Sequence, residues 1–470
     1  MPTSDIASLY NSLIELIPAE RQKEFCIGHD VFVRDRKLPY TSIITIILSL
    51  CVQQRNCGLA SSLEQFFAFT RNTALWPDQS QTHESSFSKA RAKLTWEAFE
   101  DLHKKFTKLA YSIWDDDPYY SWFGMNVFAV DGSKYFLPST DELREVFDPL
   151  SLPPAEKPAD AATNVLIDAP TEKPTGKPYF PQCTVTTIYD VFRRLPIARS
   201  IADVNTSERK QLLNLLDTIP QKSIVIADRG YPSYEVLAAF IQYFSGYFLI
   251  RCPASNSFPA VRDFIQSGKD EAIITVAPSQ DYKARFKDDP DAFKEHIAVK
   301  AIRIVTLNGS VSVLLTNMVD DESYSTEEIK KLYLKRERIE NYYRDEKTYL
   351  EIEKFHSKSP NGIRQELYAI LVVSVIARIL MMHCQKKVKD KTITPRFKHA
   401  VMVLAQHMAL MSAKDPQRGY DLFTELLHSI ERVKTYPHRK KRPNQPRICK
   451  KPPNKWAEYR GKRTRDKGKA

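Results

Sequence analysis

Two aspartates that each close a short apolar run, and a glutamate far downstream in a helix-patterned segment, are the residues of this chain best placed to do chemistry. The first run is Val127-Phe128-Ala129-Val130, followed by Asp131; the second is Ile224-Val225-Ile226-Ala227, followed by Asp228-Arg229-Gly230-Tyr231. The third acid is Glu340, in a segment that also carries Tyr333, Arg336 and Lys347. Carboxylates suit hard divalent cations. Two such cations held together activate a water or a 3′-hydroxyl and stabilise the leaving oxygen of an in-line phosphoryl displacement. Asp131 could bridge both ions, with Asp228 and Glu340 completing one each. Arg336 and Lys347 would then bind substrate phosphates beside them, Tyr333 would hydrogen-bond or stack, and Arg229 directly follows the second acid. Each member also has a plain structural reading, since strand-end aspartates cap turns and Arg336 can pair with Glu340 four residues on. Asp190, Asp203 and Glu337 are rival carboxylates, with Glu337 the first substitute for Glu340.

These acids need elements to bring them together. Four-residue apolar runs with β-branched members read as buried strands of a partly parallel α/β sheet, where ligand chemistry collects at the carboxyl ends. The glutamate segment reads as one long helix. At ~100° per residue, Tyr333, Arg336, Glu340 and Lys347 fall within an arc of roughly 60°. Leu332, Ile339, Tyr343 and Leu350 form a second stripe about 80° away, able to pack on the sheet. Ser325 and Glu328 give a capping-box start, and Pro360 and Gly362 are expected to close the segment.

The remaining chain arranges itself around that core. Residues 1–120 read as a helical N-terminal domain, with helices at 40–54, 62–69 and 96–114; Lys89 and Arg91 near helix ends could meet phosphates, or form a solvated face, the reading favoured for them alone. Residues 121–252 read as the first part of a catalytic domain, in the order strand, strand, strand, helix, strand, helix, strand. Asp131 is expected to end the first strand, with Gly132-Ser133 turning the chain. Residues 150–180 are Pro-, Ala- and Lys-rich and read as a surface loop. Residues 253–320 read as a β-rich insertion, marked by Asn308-Gly309 between two β-prone runs. Residues 321–385 return to the sheet with the glutamate helix and an apolar helix over 366–382. The last part, 386–470, holds further helices and a basic, proline-rich tail.

Charge is unevenly spread. The 470 residues carry a net charge of +12, yet 433–470 alone hold 15 Lys/Arg against Glu458 and Asp466, leaving the body close to neutral. Arg439-Lys440-Lys441-Arg442 is the densest run and a candidate DNA-backbone contact. Seven scattered cysteines, odd in number and without a C-x-x-C pair, fit a reduced intracellular protein. No basic, apolar leader is evident after Met1, and the most apolar stretch, 43–52, is too short to span a bilayer, so no membrane partner is expected. Other chemistries lack their signatures. There is no Walker-type phosphate loop, no H-E-x-x-H, no G-x-S-x-G elbow, and none of the ten histidines is followed three positions later by arginine.

Taken together, the motifs resemble those of the DDE transposases of bacterial insertion sequences, in the family numbered four. The family signature is Tyr, two residues, Arg, three residues, Glu, six residues, Lys, which Tyr333, Arg336, Glu340 and Lys347 match without a gap. Asp131 in Val-Asp-Gly-Ser and Asp228 in Ala-Asp-Arg-Gly-Tyr match the two earlier motifs, and 86–94 is similar to the family's N-terminal region. The resemblance covers roughly 25–380. It implies a ribonuclease-H-like mixed sheet flanked by helices. It implies Mg²⁺, with Mn²⁺ able to substitute, as two ions per site, and a bacterial, nucleoid-associated protein. The partners it implies are the terminal inverted repeats of the element, target DNA and a second copy of the chain in a homodimer. Cleavage in the family commonly passes through a hairpin at the transposon end. Relatives use a tryptophan of the insertion to hold a flipped base. None of the five tryptophans here lies in 253–320, where Phe258, Tyr282, Phe286 or Phe293 are the substitutes on offer. The alternative function is that of an inactive or domesticated copy that binds DNA without cutting it.

Overall fold

In a computed structural model, the described residues run from 3 to 436 with breaks at 19–21, 29–30, 33–37, 53–57, 77–80, 115–116, 150–179, 255–257, 286–295, 306–308, 320–322 and 387. The expected loop at 150–180 thus lies almost wholly outside the described residues, and Arg439, Lys440, Lys441 and Arg442 lie outside them altogether.

Five helices come first: α1 (Thr3–Ile14), α2 (Tyr40–Leu50), α3 (Leu59–Asn72), α4 (Glu84–Arg91) and α5 (Glu97–Ile113). The α/β part follows as β1 (Val127–Phe136), α6 (Asp141–Phe147), β2 (Gln182–Asp190), β3 (Leu195–Asp203), α7 (Glu208–Leu215), β4 (Ile224–Ala227), α8 (Tyr234–Tyr243) and β5 (Tyr247–Pro253). Next are α9 (Pro259–Gln266), β6 (Glu271–Val276), α10 (Gln280–Arg285), β7 (Ile297–Val305) and β8 (Val311–Thr316). The chain then forms α11 (Thr326–Tyr333), α12 (Glu337–Thr348), α13 (Pro360–Lys386), β9 (Thr394–Pro395), α14 (Phe397–His407), α15 (Pro416–Arg432) and β10 (Lys434–Thr435).

One mixed sheet of eight strands, in the order β3-β2-β1-β4-β5-β8-β7-β6, organises the whole. β1, β4 and β5 run parallel, and the other pairings are antiparallel. The strands of 253–320 therefore extend the main sheet along its β5 edge. Strand periodicity divides the core. Val127 and Ala129 of β1, with Ile224 and Ile226 of β4, face the layer that includes α12 and α13. Phe128 and Val130, with Val225 and Ala227, face the layer of α7 and α8. Burying each of the Val, Ile and Phe side chains contributes roughly 1.5–3 kcal/mol, so a one-residue slip would be heavily penalised.

β1 does not end at Asp131. It continues to Phe136, but beyond Val130 only β2 still pairs with it, because β4 stops at Ala227. The site notch opens where that neighbour is lost.

The glutamate segment also departs from a single helix. The capping box at Ser325 and Glu328 forms as expected, but a 3₁₀ turn at Leu334–Arg336 separates α11 from α12. Pro360 does not close this segment. It opens α13, where a first-turn proline loses no helical hydrogen bond. By length and hydropathy α13 is the one described helix able to cross a membrane, a longer apolar stretch than 43–52, yet its apolar window is 100% buried inside the protein. A helix apolar all round is a core helix when other elements enclose it. Here α13 packs against α2, α5, α14, α15 and β3. Cys26, Cys51, Cys183, Cys252 and Cys384 form no disulfide among the described residues.

Candidate active site

The register of β1 and β4 brings the first two acids together. Val130 pairs with Ala227 in parallel, so Asp131 and Asp228 are next in line at adjacent carboxyl ends. Counting by twos from Val127 and Ile224 turns both side chains to the face covered by α12. That face is the one on which Glu340 arrives. Tyr343, one turn further along α12, donates to the Asp131 carbonyl at 2.7 Å and fixes the helix over the strand.

At the centre of the three acids stands Arg336. Its Nη1 lies 3.9 Å from Asp131 Oδ2 and 3.9 Å from Asp228 Oδ2, while Nη2 donates to Glu340 Oε1. The guanidinium is largely enclosed, whereas the Glu340 side chain is 51% exposed. Among the described residues no three acidic or imidazole groups are drawn together as tightly as an ion would draw them, because the guanidinium stands between them. Two observations fit a divalent cation there. A positive group already bridges three oxygen donors, and Asp228 Oδ1 is buried with no hydrogen-bond partner among the described residues. An all-carboxylate donor set suits hard divalent cations over softer metals.

Burial pushes the Asp131 carboxyl up to about 7; Arg336 and the Gly132 amide oppose the shift, and the charges of Glu208 and Asp228 add to it. The protonated acid therefore stabilises the metal-free fold below the ordinary carboxylate range, and this contribution is lost as pH rises through about 7. Asp131→Asn is expected to exceed the wild type in stability by on the order of 2 kcal/mol at pH 8 in EDTA, and to match it near pH 4. Urea unfolding at the two pH values measures this, and an equal difference at both would refute it.

The other signature residues take distinct places. Lys347 donates to the Lys134 carbonyl at 2.8 Å, with its ammonium 4.9 Å from the Tyr135 ring centroid. Tyr333 has a buried hydroxyl without a hydrogen-bond partner among the described residues; burial and the Asp228 charge push its pKa well up. Arg229 is exposed and lines a cleft of about 1260 Å³ between the ends of α7 and β4 and the segment that carries α9 and α10. Phe258 and Tyr282 line the same cleft, whereas Phe286 and Phe293 lie outside the described residues. The rivals stand elsewhere. Asp190 is fully buried against Arg193 and Tyr111, Asp203 caps the turn at Asn205 and Thr206, and Glu337 lines a different cleft.

Lys89 is exposed, as a DNA contact requires. Arg91 is not. It is 6% exposed, and its guanidinium donates to Gln365 at 2.7 Å, Glu366 at 3.0 Å and the Gly362 carbonyl at 2.7 Å. Every direction a phosphate could approach is taken, so Arg91 fastens α4 to α13 instead of meeting DNA.

One acid near the site was not anticipated. Burial raises the pKa of both Asp131 and Tyr231, and Glu208, at the first turn of α7 behind its N-cap Ser207, adds to both shifts. A Cβ on Gly132 would collide with its carboxylate. Glycine after Asp131 therefore makes room for a fourth acid. The sequence signal was a capped helix start just upstream of the second aspartate run.

The chain is similar in sequence to known transposases. The description "Transposase DDE domain" matches residues 122–376, more than half of the chain. The transposase InsG of insertion sequence element IS4 from Escherichia coli (strain K12) is 22% identical over 432 residues, covering 91% of this chain and 88% of that protein. Among solved structures, the cryo-EM structure of the piggyBac transposase synaptic complex with hairpin DNA aligns with a TM-score of 0.39 and 9% identity, over 92% of this chain and 78% of that one. With Tyr333 and Arg336 set beside Asp131, Asp228 and Glu340, and Lys347 further along α12, the chain belongs to the DDE transposases of the bacterial insertion-sequence family four.

Proposed function

We propose that this transposase cuts and joins DNA phosphodiesters at the terminal inverted repeats of its insertion sequence, in cut-and-paste transposition that depends on Mg²⁺ or Mn²⁺. The observation that carries the reading is the convergence of Asp131, Asp228 and Glu340 on one guanidinium. Two ions held there would activate the attacking oxygen and stabilise the leaving one. Asp131, Asp228 and Glu340 are the residues to hold them, and Arg336, displaced from between the acids, is free to pair with a phosphate of the strand being cut. Tyr333, with its unpartnered hydroxyl, lies where it can donate to the same strand. Lys347 and Arg229 flank the notch with positive charge, and Lys89 offers a contact from the N-terminal helices.

The strand order of β3-β2-β1-β4-β5, antiparallel then parallel, supports a ribonuclease-H-like core over 121–252 and 321–385. Residues 253–320 serve as its insertion, 1–120 as the DNA-recognition domain and 386–470 as the C-terminal helices and basic tail. A homodimer, one copy per transposon end, is the assembly this reading needs.

The test is direct. Purified protein with DNA carrying the ends of its own element should nick and join strands in Mg²⁺ or Mn²⁺ and do neither in EDTA. End-specific binding with no cleavage in either metal would instead establish the inactive, DNA-binding alternative.

A further inference from the structure

A second accumulation of charge lies around α12 from the carboxylates. Arg338 is two residues from Glu340, so it projects about 200° around the helix from it. It joins Arg194 in the turn between β2 and β3, Lys335 in the 3₁₀ turn, and Arg378 on α13 in lining two adjoining clefts of about 680 and 300 Å³. None of these four cations has a carboxylate within ion-pair distance among the described residues. Arg338 donates to the Val191 carbonyl and lies over the Phe192 ring at 5.7 Å. Arg378, 7% exposed, meets the Met381 sulfur at 3.9 Å and the Phe397 ring at 4.2 Å among the described residues. The side chains of Arg194 and Lys335 have no hydrogen-bond partner among the described residues. Burial, and the mutual repulsion of these charges, hold Lys335, Arg338 and Arg378 below their usual pKa values. Lys331 and Arg344 add to the positive lining, against Glu337 and Asp345 alone, and burial raises the pKa of Asp345.

An uncompensated cation in a partly dry cleft costs stability unless an anion completes it. We propose that this cleft binds the phosphodiester backbone of duplex DNA as a second contact, distinct from the one beside the carboxylates. The choice of DNA rests on the substrate reading above. The width of one helix, ~10 Å, separates the two faces, and a duplex rising ~3.4 Å per base pair crosses that in about three pairs. One bound duplex can therefore touch both. The aromatic edges of Tyr119 and Phe192 border the cleft and suit sugar and base surfaces.

The double variant Arg194→Gln/Lys335→Gln tests this without touching the carboxylates. Duplex binding is measured in EDTA across a salt series, so its readout does not depend on cleavage. Each lost phosphate contact flattens the slope of log affinity against log salt by ~0.9, so a fall of roughly two is expected, with at least tenfold weaker binding at low salt. The DNA-free variant should melt at a higher temperature than wild type at low salt, since two self-repelling charges are gone. Turnover at saturating DNA should be unchanged. Wild-type affinity and slope in a folded variant would overturn the proposal, as would lost turnover with intact binding. If the wild type binds but never cuts, the substrate chemistry fails while the loss of binding still supports the cleft.

Discussion

Alanine at Asp131, Asp228 or Glu340 should abolish strand cleavage while leaving duplex binding intact or slightly tighter. Each change removes one of the three carboxylates that meet at Arg336. Losing ~4 kcal/mol of transition-state stabilisation slows a reaction about 10³-fold, and an ion that stabilises both attacking and leaving oxygens is worth several kcal/mol. Binding should not suffer, because a carboxylate repels phosphate when no cation covers it. The three variants differ in one respect. Asp131→Ala and Asp228→Ala empty positions held by strand register, whereas Glu340→Ala also releases the partner of Arg336 Nη2. Gel assays of nicking in Mg²⁺, with filter binding in EDTA, separate the two effects. Cleavage within tenfold of wild type in all three variants would remove these acids from the chemistry.

The centre of this site was legible because strand chemistry and helix periodicity both bear on it. Two buried apolar runs ending in aspartate set the register, and Val130 opposite Ala227 then leaves no freedom in where Asp131 and Asp228 stand. Helical spacing carried Arg336 and Glu340 onto one face despite the 3₁₀ turn between α11 and α12. What stayed hidden depended on distant partners. Arg91 looks like a phosphate contact by local context, but its acid, Glu366, lies 275 residues away. Gly132 reads as a turn residue until Glu208 is seen filling the space a side chain would need. Pro360 reads as a helix stop because proline has two opposite meanings, and only the fold shows that it opens α13. The four cations Arg194, Lys335, Arg338 and Arg378 belong to four separate elements, and no periodicity within one segment could gather them.

The hold of α12 on the sheet predicts the largest loss of stability. Arg199 of β3 is fully buried, with Nη2 at 2.7 Å from Glu346 of α12, Nε donating to Thr187 Oγ1 at 3.2 Å and Nη1 to the Leu367 carbonyl at 3.1 Å. Glu346, equally buried, accepts from Tyr135 at 2.6 Å and from Tyr342. The pair links β3, α13 and β1 to the helix that carries Glu340. Removing one member of a buried ion pair costs ~3–5 kcal/mol, because the partner keeps its charge without compensation. Arg199→Met should therefore lose about that much, and nicking should fall with it as α12 loosens over Asp131. Neutralising the stranded acid too, in Arg199→Met/Glu346→Gln, keeps an acceptor for one tyrosine hydroxyl and offers the oxygen of the other an amide donor, and should restore most of the loss, since a neutral replacement of such a pair is often nearly free. Urea unfolding of the two single variants, the double variant and the wild type measures the coupling directly. A double variant no more stable than Arg199→Met would mean that the cost lies in packing around the guanidinium stem and not in a charge left alone.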